Sequence, residues 1–378
     1  MQNIGINRIS FSTSKYFIDM RDFAFARNQP ISKYYDGLMQ EKMSIPPICE
    51  DAITLGFSAA KNIMDPYDVE KIDLLIFATE SGVDESKSCA IYIHKFLNLK
   101  NTCKLFDIKQ ACYAGTAALF VAYDFVRANP GKQVLVVMSD VARYGLYTPG
   151  EATQGCGAVA LIVSENPEIA VINPKTGIYA DEAMDFWRPV CRTEAIVNGA
   201  LSAKKYLSFL KKSYENFQAV NEIELDYVCF HTPFCKMAQK GHIALYGNAD
   251  SFNKNSIKYN CLIGNSYTAS LYISLISLLA NTEEDLSCKN IGLYSYGSGS
   301  VSEFFSVRIQ STYRCFLNVS LFEENIEGRT KISVQKYEDI YKSYSIDDKK
   351  CGDGYYASGE LRFVGVLDEM RVYEISNN

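Results

Sequence analysis

The chain is poor in histidine and tryptophan. It has three histidines (His94, His231 and His242) and one tryptophan, Trp187. The three histidines do not cluster with cysteines in a zinc-binding pattern, and the twelve cysteines contain no Cys-x-x-Cys pair. No structural metal is expected. An excess of positive charge is also lacking. The 38 basic residues against 44 acidic ones leave a formal charge of −6 and a pI near 5.3. That balance gives no electrostatic grip on DNA or RNA. The apolar run Thr116 to Val126 is too short, and too polar at its ends, to cross a bilayer. The opening Met1-Gln2-Asn3-Ile4-Gly5 has no basic stretch leading into an apolar one, so no secretory leader is expected. Cytoplasmic residence is the expectation, with the cysteines free rather than forming a disulfide framework.

What remains is an ordinary globular composition, 48% hydrophobic and 22% charged. A length of 378 residues suffices for two domains or one large duplicated unit.

The stretch Lys109 to Ala118 is the chain's centre of interest. Cys112 stands at the mouth of the apolar run, which reads as a helix buried on all sides. At a helix N-terminus, unpaired N–H groups and the helix dipole favour a thiolate. Ala114 and Gly115 allow another segment or a ligand to approach closely. A buried structural thiol is the competing reading.

Around it, apolar runs alternate with helical patterns. Asn3 to Ser10 reads as a strand, and Ala52 to Ile63 as a helix with Ile53, Leu55, Ala59, Ala60 and Ile63 on one side. Ile72 to Ala78 reads as a buried strand with Glu80 just beyond its end. Cys89 to Leu99 is a helix candidate. Val134 to Met138 and Ala158 to Val163 are further strands, and the turn Glu165-Asn166-Pro167 marks a boundary. The expected halves are 1–166 and 167–378. In the second, Ser202 to Phe217 is helical, with Lys204, Lys205, Lys211 and Lys212 on a solvated face.

From Asp226 the pattern repeats. Leu225 to Phe234 parallels the strand that ends before Glu80. Ile263 to Leu271 parallels Ala111 to Leu119, again opening an apolar helix. Lys289 to Ser295 parallels Lys132 to Met138. Glu80 and Cys112 are 32 residues apart, His231 and Asn265 are 34 apart. Three parallels in one order argue for a duplicated α/β unit. Ligands of such sheets bind beyond the strands' carboxyl ends, so Glu80, Cys112, His231 and Asn265 are expected in one crevice. The glycine stretch Tyr296 to Val301 lacks a third glycine and runs into a strand-like segment, which argues against a nucleotide loop. A tight turn aiming N–H groups into the crevice fits better.

These residues resemble the 3-hydroxy-3-methylglutaryl-CoA synthase family, of thiolase-like fold. The resemblance covers about Ile4 to Ile309. It is carried by Ala78-Thr79-Glu80-Ser81, Gln110-Ala111-Cys112-Tyr113-Ala114, Ala142 to Leu146, Asp185-Phe186-Trp187-Arg188-Pro189, His231-Thr232-Pro233-Phe234 and Ser295 to Ser300. It implies an αβαβα sandwich and a Glu80–Cys112–His231 triad. Cys112 would take an acetyl group, Glu80 would remove a proton from its methyl, and His231 would polarise the acceptor's β-keto carbonyl. The N–H groups of Cys112 and Ser298 would form an oxyanion hole, and Asn265 would orient the acceptor. Tyr144, Thr153, Phe186, Tyr206 and Pro233 would line the substrate site, and Lys236 and Lys240 would meet pantetheine phosphates. The implied cofactor requirement is none beyond thioesters on CoA or phosphopantetheine, and the implied assembly is a homodimer.

Two branches of the family differ in their partners. Gln110, His231 to Phe234, and Glu41-Lys42-Met43 with Cys49-Glu50-Asp51 resemble the branch that installs β-branches on polyketides. Its donor and acceptor ride on acyl carrier proteins. Asp185 to Pro189 and Asn198 to Ser202 are spelled more like the mevalonate enzymes, which use acetyl-CoA and acetoacetyl-CoA. A shell that has lost its chemistry, and a ketoacyl synthase, are the outlying readings; Glu80 speaks against the latter.

Overall fold

The structure, a computed structural model, describes residues 3–64, 69–344 and 355–376. Its first half builds β1 (Ile4–Ser12), α1 (Ala52–Lys61), β2 (Ile72–Ala78), α2 (Cys89–Phe96), β3 (Lys104–Ile108), α3 (Ala114–Ala128), β4 (Gln133–Ala142) and β5 (Gly155–Glu165). The second supplies β6 (Ala170–Ile172), α4 (Gly199–Val220), β7 (Tyr227–Phe230), α5 (Cys235–Tyr246), α6 (Ser270–Asn281), β8 (Asn290–Gly297) and β9 (Val301–Ile309). The continuous apolar character of β2, β4 and β5 reflects cover on both faces. Leu75, Phe77, Leu135 and Val137 pack under α1 and α2, while Leu74, Ile76, Val134 and Val136 face the central helices α3 and α6. In the second half Ile291, Leu293, Phe305 and Val307 face those same helices. Tyr294, Tyr296 and Phe304 point outward to α4 and α5. The result is the expected helix–sheet–helix–sheet–helix order.

The duplication shows in the strand order. The first half runs β3-β2-β4-β5-β1 and the second β6-β9-β8-β7, so one half mirrors the other about the β1–β6 junction. There the strands are antiparallel, with Gly5 opposite Val171 and Ile6 opposite Ala170. A Cβ on Gly5 would come within 2.0 Å of the Ala170 carbonyl oxygen, so the junction requires glycine. Gly115 serves the same need between the central helices, where a Cβ would lie 2.7 Å from the Thr268 carbonyl oxygen.

The repeat has a different register from the one read off the apolar run. Ala111 and Tyr267 both have φ near 44°, and each stands three residues before its helix, at Ala114 and Ser270. On this register Thr116 matches Tyr272, and their hydroxyls meet at 2.9 Å across the junction. Ala111 therefore corresponds to Tyr267, not Ile263. The sequence pattern slips because Ile263 and Gly264 imitate Ala111 and its small neighbours. The copies also differ in content. Among the described residues no strand answers to β3; the short helix Lys258–Ile263 stands in that part of the chain.

The half expected to run from 167 to 378 gives the main sheet its last strand at Ile309. Beyond Ile309 the chain returns to the first half. α7 (Val319–Glu327) sets Phe322 against Phe11, ring centroids 5.3 Å apart. α8 (Val334–Ser343) packs Tyr337 and Ile340 into a cluster with Tyr16, Ile18 and Met20. The hairpin β10 (Leu361–Leu367) and β11 (Met370–Ile375) lies over α1. Asp51 caps α1 with one carboxylate oxygen, and its other oxygen takes Arg371 at 2.8 Å and Tyr373 at 2.6 Å. The loop expected at Asp347 to Gly354 lies outside the described residues. No helix among the described residues is long and apolar enough to cross a membrane.

Candidate active site

Cys112 sits two residues ahead of α3, so its position follows from where that helix starts. The turn between β8 and β9 presses on it: a Cβ on Gly297 would lie 2.6 Å from the Tyr113 Cβ and 2.7 Å from the Gln110 carbonyl oxygen. Ser298 lies in that turn, partly exposed. The Gly299 N–H donates to the Asp185 carboxylate at 2.9 Å, and the Tyr296 hydroxyl donates to its other oxygen at 2.7 Å, which fixes the turn.

Glu80 follows the end of β2. The Cys112 thiol donates to its Oε1 at 3.1 Å, so thiol and carboxylate, 32 residues apart in sequence, form one contact. Burial raises the Glu80 carboxyl, as does the Asp140 charge behind it. The thiol's hydrogen bond and the Arg188 charge oppose them, and the net is about 8. Burial, and then Glu80, also push the Cys112 thiol well above its ordinary value. The helix start by itself favours a thiolate, the form expected from the sequence. Desolvation and two nearby carboxylates outweigh the helix dipole, and the resting group is a thiol.

Asp140 is a site residue that the sequence reading passes over. It lies fully buried inside β4. Its Oδ1 accepts from the Thr79 hydroxyl and the Glu80 N–H, both at 2.9 Å. Its Oδ2 accepts from the Thr268 hydroxyl at 2.5 Å and the Thr268 N–H at 3.1 Å. One carboxylate thus ties the Glu80 loop of the first half to the Thr268 turn of the second. A carboxylate two residues past an apolar run is the signal that could have found it.

His231 ends β7. Its N–H donates to the Tyr294 carbonyl at 2.8 Å, and its carbonyl accepts from the Tyr206 hydroxyl at 2.7 Å. Burial drives the imidazole down to about 3, so it is neutral at working pH. Tyr206, expected to line the substrate site, is instead fully buried behind His231 and spends its hydroxyl on that main chain. Asn265 is buried, and its Oδ1 accepts from the Tyr267 N–H at 2.9 Å. The Ser270 hydroxyl donates to the same Oδ1 at 3.2 Å, and burial pushes the Tyr144 phenol up. Tyr144, Tyr267 and Phe186 form an aromatic wall with Cys112 packed against it; the Phe186 ring is 6.1 Å from Tyr144 and 5.7 Å from Tyr267. Arg188, one of the motif residues given no role, donates to the Glu80 carbonyl.

The remaining candidates lie farther out. The Thr153 hydroxyl donates to the Gly150 carbonyl at 2.8 Å, and it is the neighbouring Gln154 that reaches the Tyr144 N–H, at 2.9 Å. Pro233 is half-buried. Lys236 and Lys240 stand one turn apart on α5, the first half-buried and the second exposed. Among the described residues no group of His, Cys, Asp and Glu could hold a metal ion.

Comparison with known proteins identifies the family. Residues 1–168 match the family described as hydroxymethylglutaryl-coenzyme A synthase N terminal, and residues 171–263 and 249–350 its C terminal counterpart. Hydroxymethylglutaryl-CoA synthase of Enterococcus faecalis is 36% identical over 349 residues, 89% of this chain and 91% of that protein. The polyketide biosynthesis 3-hydroxy-3-methylglutaryl-ACP synthase PksG of Bacillus subtilis is 32% identical over 379 residues, 90% and 89% of the two chains. The solved structure of the curacin biosynthetic pathway HMG synthase with holo donor-ACP superposes with a TM-score of 0.92 at 28% identity, covering 99% of this chain and 100% of that one. The two family models together span most of the chain, and the chain belongs to the hydroxymethylglutaryl-CoA synthase family of acyl-transferring condensing enzymes, with its thiolase-like fold.

Proposed function

We propose that this enzyme condenses an acetyl group held on Cys112 with the β-keto carbon of an acyl chain carried on an acyl carrier protein, as in polyketide β-branching. The observation that carries the chemistry is the 3.1 Å contact between Cys112 Sγ and Glu80 Oε1. Once the acetyl group has passed from the donor thioester to sulfur, with release of the donor thiol, that carboxylate stands beside the acetyl methyl. A carboxyl poised near 8 is a base strong enough to take a proton from a thioester methyl and still ionise at working pH. The enolate carbon then adds to the acceptor's keto carbon. Neutral His231, a hydrogen-bond donor rather than a charge, stabilises the alkoxide that forms. Water cleaves the Cys112 thioester, leaving a free carboxylate on the product and restoring the thiol.

The carrier-protein branch is supported by Gln110, by the His231 to Phe234 spelling, and by likeness to PksG and to the curacin enzyme with its donor-ACP. The second reading takes CoA thioesters for both substrates and is favoured by the 36% identity to the Enterococcus faecalis enzyme. Intact-mass spectrometry after brief exposure to acetylated carrier protein or to acetyl-CoA separates them. One acetyl mass gained chiefly from the carrier supports the proposal. Efficient gain from CoA alone supports the second reading, and gain from neither overturns both.

A further inference from the structure

The segment from Asp185 to Asn198 lies against the Cys112–Glu80 pair, through Phe186 beside the thiol and Arg188 on the Glu80 carbonyl. It is a short hairpin, pairing Phe186 with Val197 and Trp187 with Ile196. Its inner side meets the site through Phe186 on the aromatic wall and Arg188 on the Glu80 carbonyl. Its outer side carries Glu194, whose Oε1 lies 3.2 Å from the Tyr341 hydroxyl. That same hydroxyl lies 2.5 Å from the Tyr144 carbonyl oxygen. Tyr341 comes from α8, in the stretch after Gln310 where the sequence offers no motif.

Tyr341 is itself firmly seated. Arg143, the residue before Tyr144, donates to the Tyr341 carbonyl at 3.2 Å. The Arg143 guanidinium lies 4.4 Å from the centre of the Tyr341 ring and 4.2 Å from that of Tyr344. The Ala195 N–H donates to the Arg143 carbonyl at 3.4 Å, a second tie between hairpin and wall. Burial alone would raise the Glu194 carboxyl; hydrogen bonds from Thr193 and Tyr341 and the Arg143 charge together hold it below its ordinary range. Glu194 therefore faces the phenol as a carboxylate.

A phenol has one proton. Here it stands between two acceptors on separate segments, the Tyr144 carbonyl of the wall at 2.5 Å and the Glu194 carboxylate of the hairpin at 3.2 Å, and so links the two. Donation to Glu194 holds the hairpin down. We propose that Tyr341 is a positioning residue that ties the covering hairpin to the Tyr144 wall, so that the cover stays closed over acetyl-Cys112. The inference rests on the reading of Cys112 and Glu80 as the reacting pair.

Premature opening has a measurable consequence. Water reaches acetyl-Cys112 without an acceptor, releasing acetate and the free thiol. In the full-length Tyr341→Phe protein, this acetate leak is expected to rise about three- to tenfold, the range one hydrogen bond supports. KM for the acceptor should rise by a similar factor. Acetylation of Cys112, read by intact mass, should stay within about twofold. Glu194→Ala should reproduce the effect. Glu194→Gln, which can still accept from the phenol, should restore most of the wild-type behaviour, and the Tyr341→Phe, Glu194→Ala double variant should be no worse than either single one. A Tyr341→Phe protein with a lowered Tm but unchanged leak and acceptor KM would overturn the coupling and leave a packing role. So would single-variant losses that multiply in the double variant. Failure of the wild type to acetylate at all would instead strike the reading of the reacting pair, and the two failures are distinguishable in the same mass spectra.

Discussion

The loop after β2 and the loop after β7 occupy equivalent places in the two copies, and burial acts on both. Its effects run in opposite directions. In the first copy burial lifts Glu80 to about 8, and in the second it lowers His231 to about 3. Each group is driven towards its neutral form. Only the carboxyl arrives where a small change of pH changes its charge. One physical cause thus acts with opposite sign in the two copies; in the proposed mechanism the first copy moves protons and the second offers neutral hydrogen bonds. Asp140 sharpens the division, because it adds a charge behind Glu80 while tying down Thr268 of the other copy.

The harshest break of this comparison is Cys112→Ala. It is expected to abolish both acetyl capture and turnover while leaving far-UV dichroism and Tm near wild type. Retained turnover would remove the thiol from the mechanism. Glu80→Gln comes next. A carboxamide still accepts the thiol's hydrogen bond, so the acetyl group should still load on Cys112. Condensation should fall by about 10²- to 10⁴-fold, the usual contribution of a positioned base. Loss of loading instead would move Glu80 to the first half-reaction.

The second copy should fail differently. His231→Ala is expected to leave acetyl loading intact and to reduce condensation by about 10²- to 10³-fold, the cost of one missing donor at a developing oxyanion. A variant that no longer loads acetyl would show that the halves do not separate as argued.

Much of this division is legible in the sequence. Glu80, His231 and Cys112 each stand where an apolar run ends or begins, and a polar group there has few packing reasons to exist. The main strands and α6 are legible for the same reason, since their runs are buried on both sides; α3 departs from its expectation of burial on all sides, because Val121, 41% exposed, and Asp124 lie on an open face. Asp140 is not, because its meaning lies in four donors contributed by residues as far away as Thr79 and Thr268. The protonation of Cys112 is hidden too. The helix start is local and can be read, whereas the two carboxylates facing the thiol are brought there by the fold. The repeat is visible in the sequence but misplaced by four residues, as the matching φ values of Ala111 and Tyr267 show. The tail after Gln310 is unreadable because α8 and the β10–β11 hairpin fill gaps in the first half rather than form a core of their own.

Asp140→Asn probes the link between the copies. Removing the charge behind Glu80 makes that carboxyl easier to ionise, so the pH midpoint of condensation, expected near 8 in the wild type, should move down. An amide offers one acceptor oxygen where the carboxylate offered two. One pair of donors then faces an NH₂ group, and Tm should fall as well. A lowered Tm with an unmoved midpoint would make Asp140 a strut without electrostatic influence on the base.

The smallest effect is the most discriminating, because it leaves the interior untouched. Arg188 is exposed, and its charge favours the Glu80 carboxylate from outside. Replacing it with Gln keeps a donor for the Glu80 carbonyl and removes only the charge. The carboxyl then ionises less readily, so the midpoint should move above its wild-type value, opposite in sign to Asp140→Asn. The shift should be modest, since an exposed charge acts through water and counterions. Added salt supplies its own control. Raising ionic strength should carry the wild-type midpoint towards that of Arg188→Gln while the variant's own midpoint stays nearly still. If both midpoints move together with salt, the screened charge is not Arg188, and the setting of the base belongs to the buried side of the site alone.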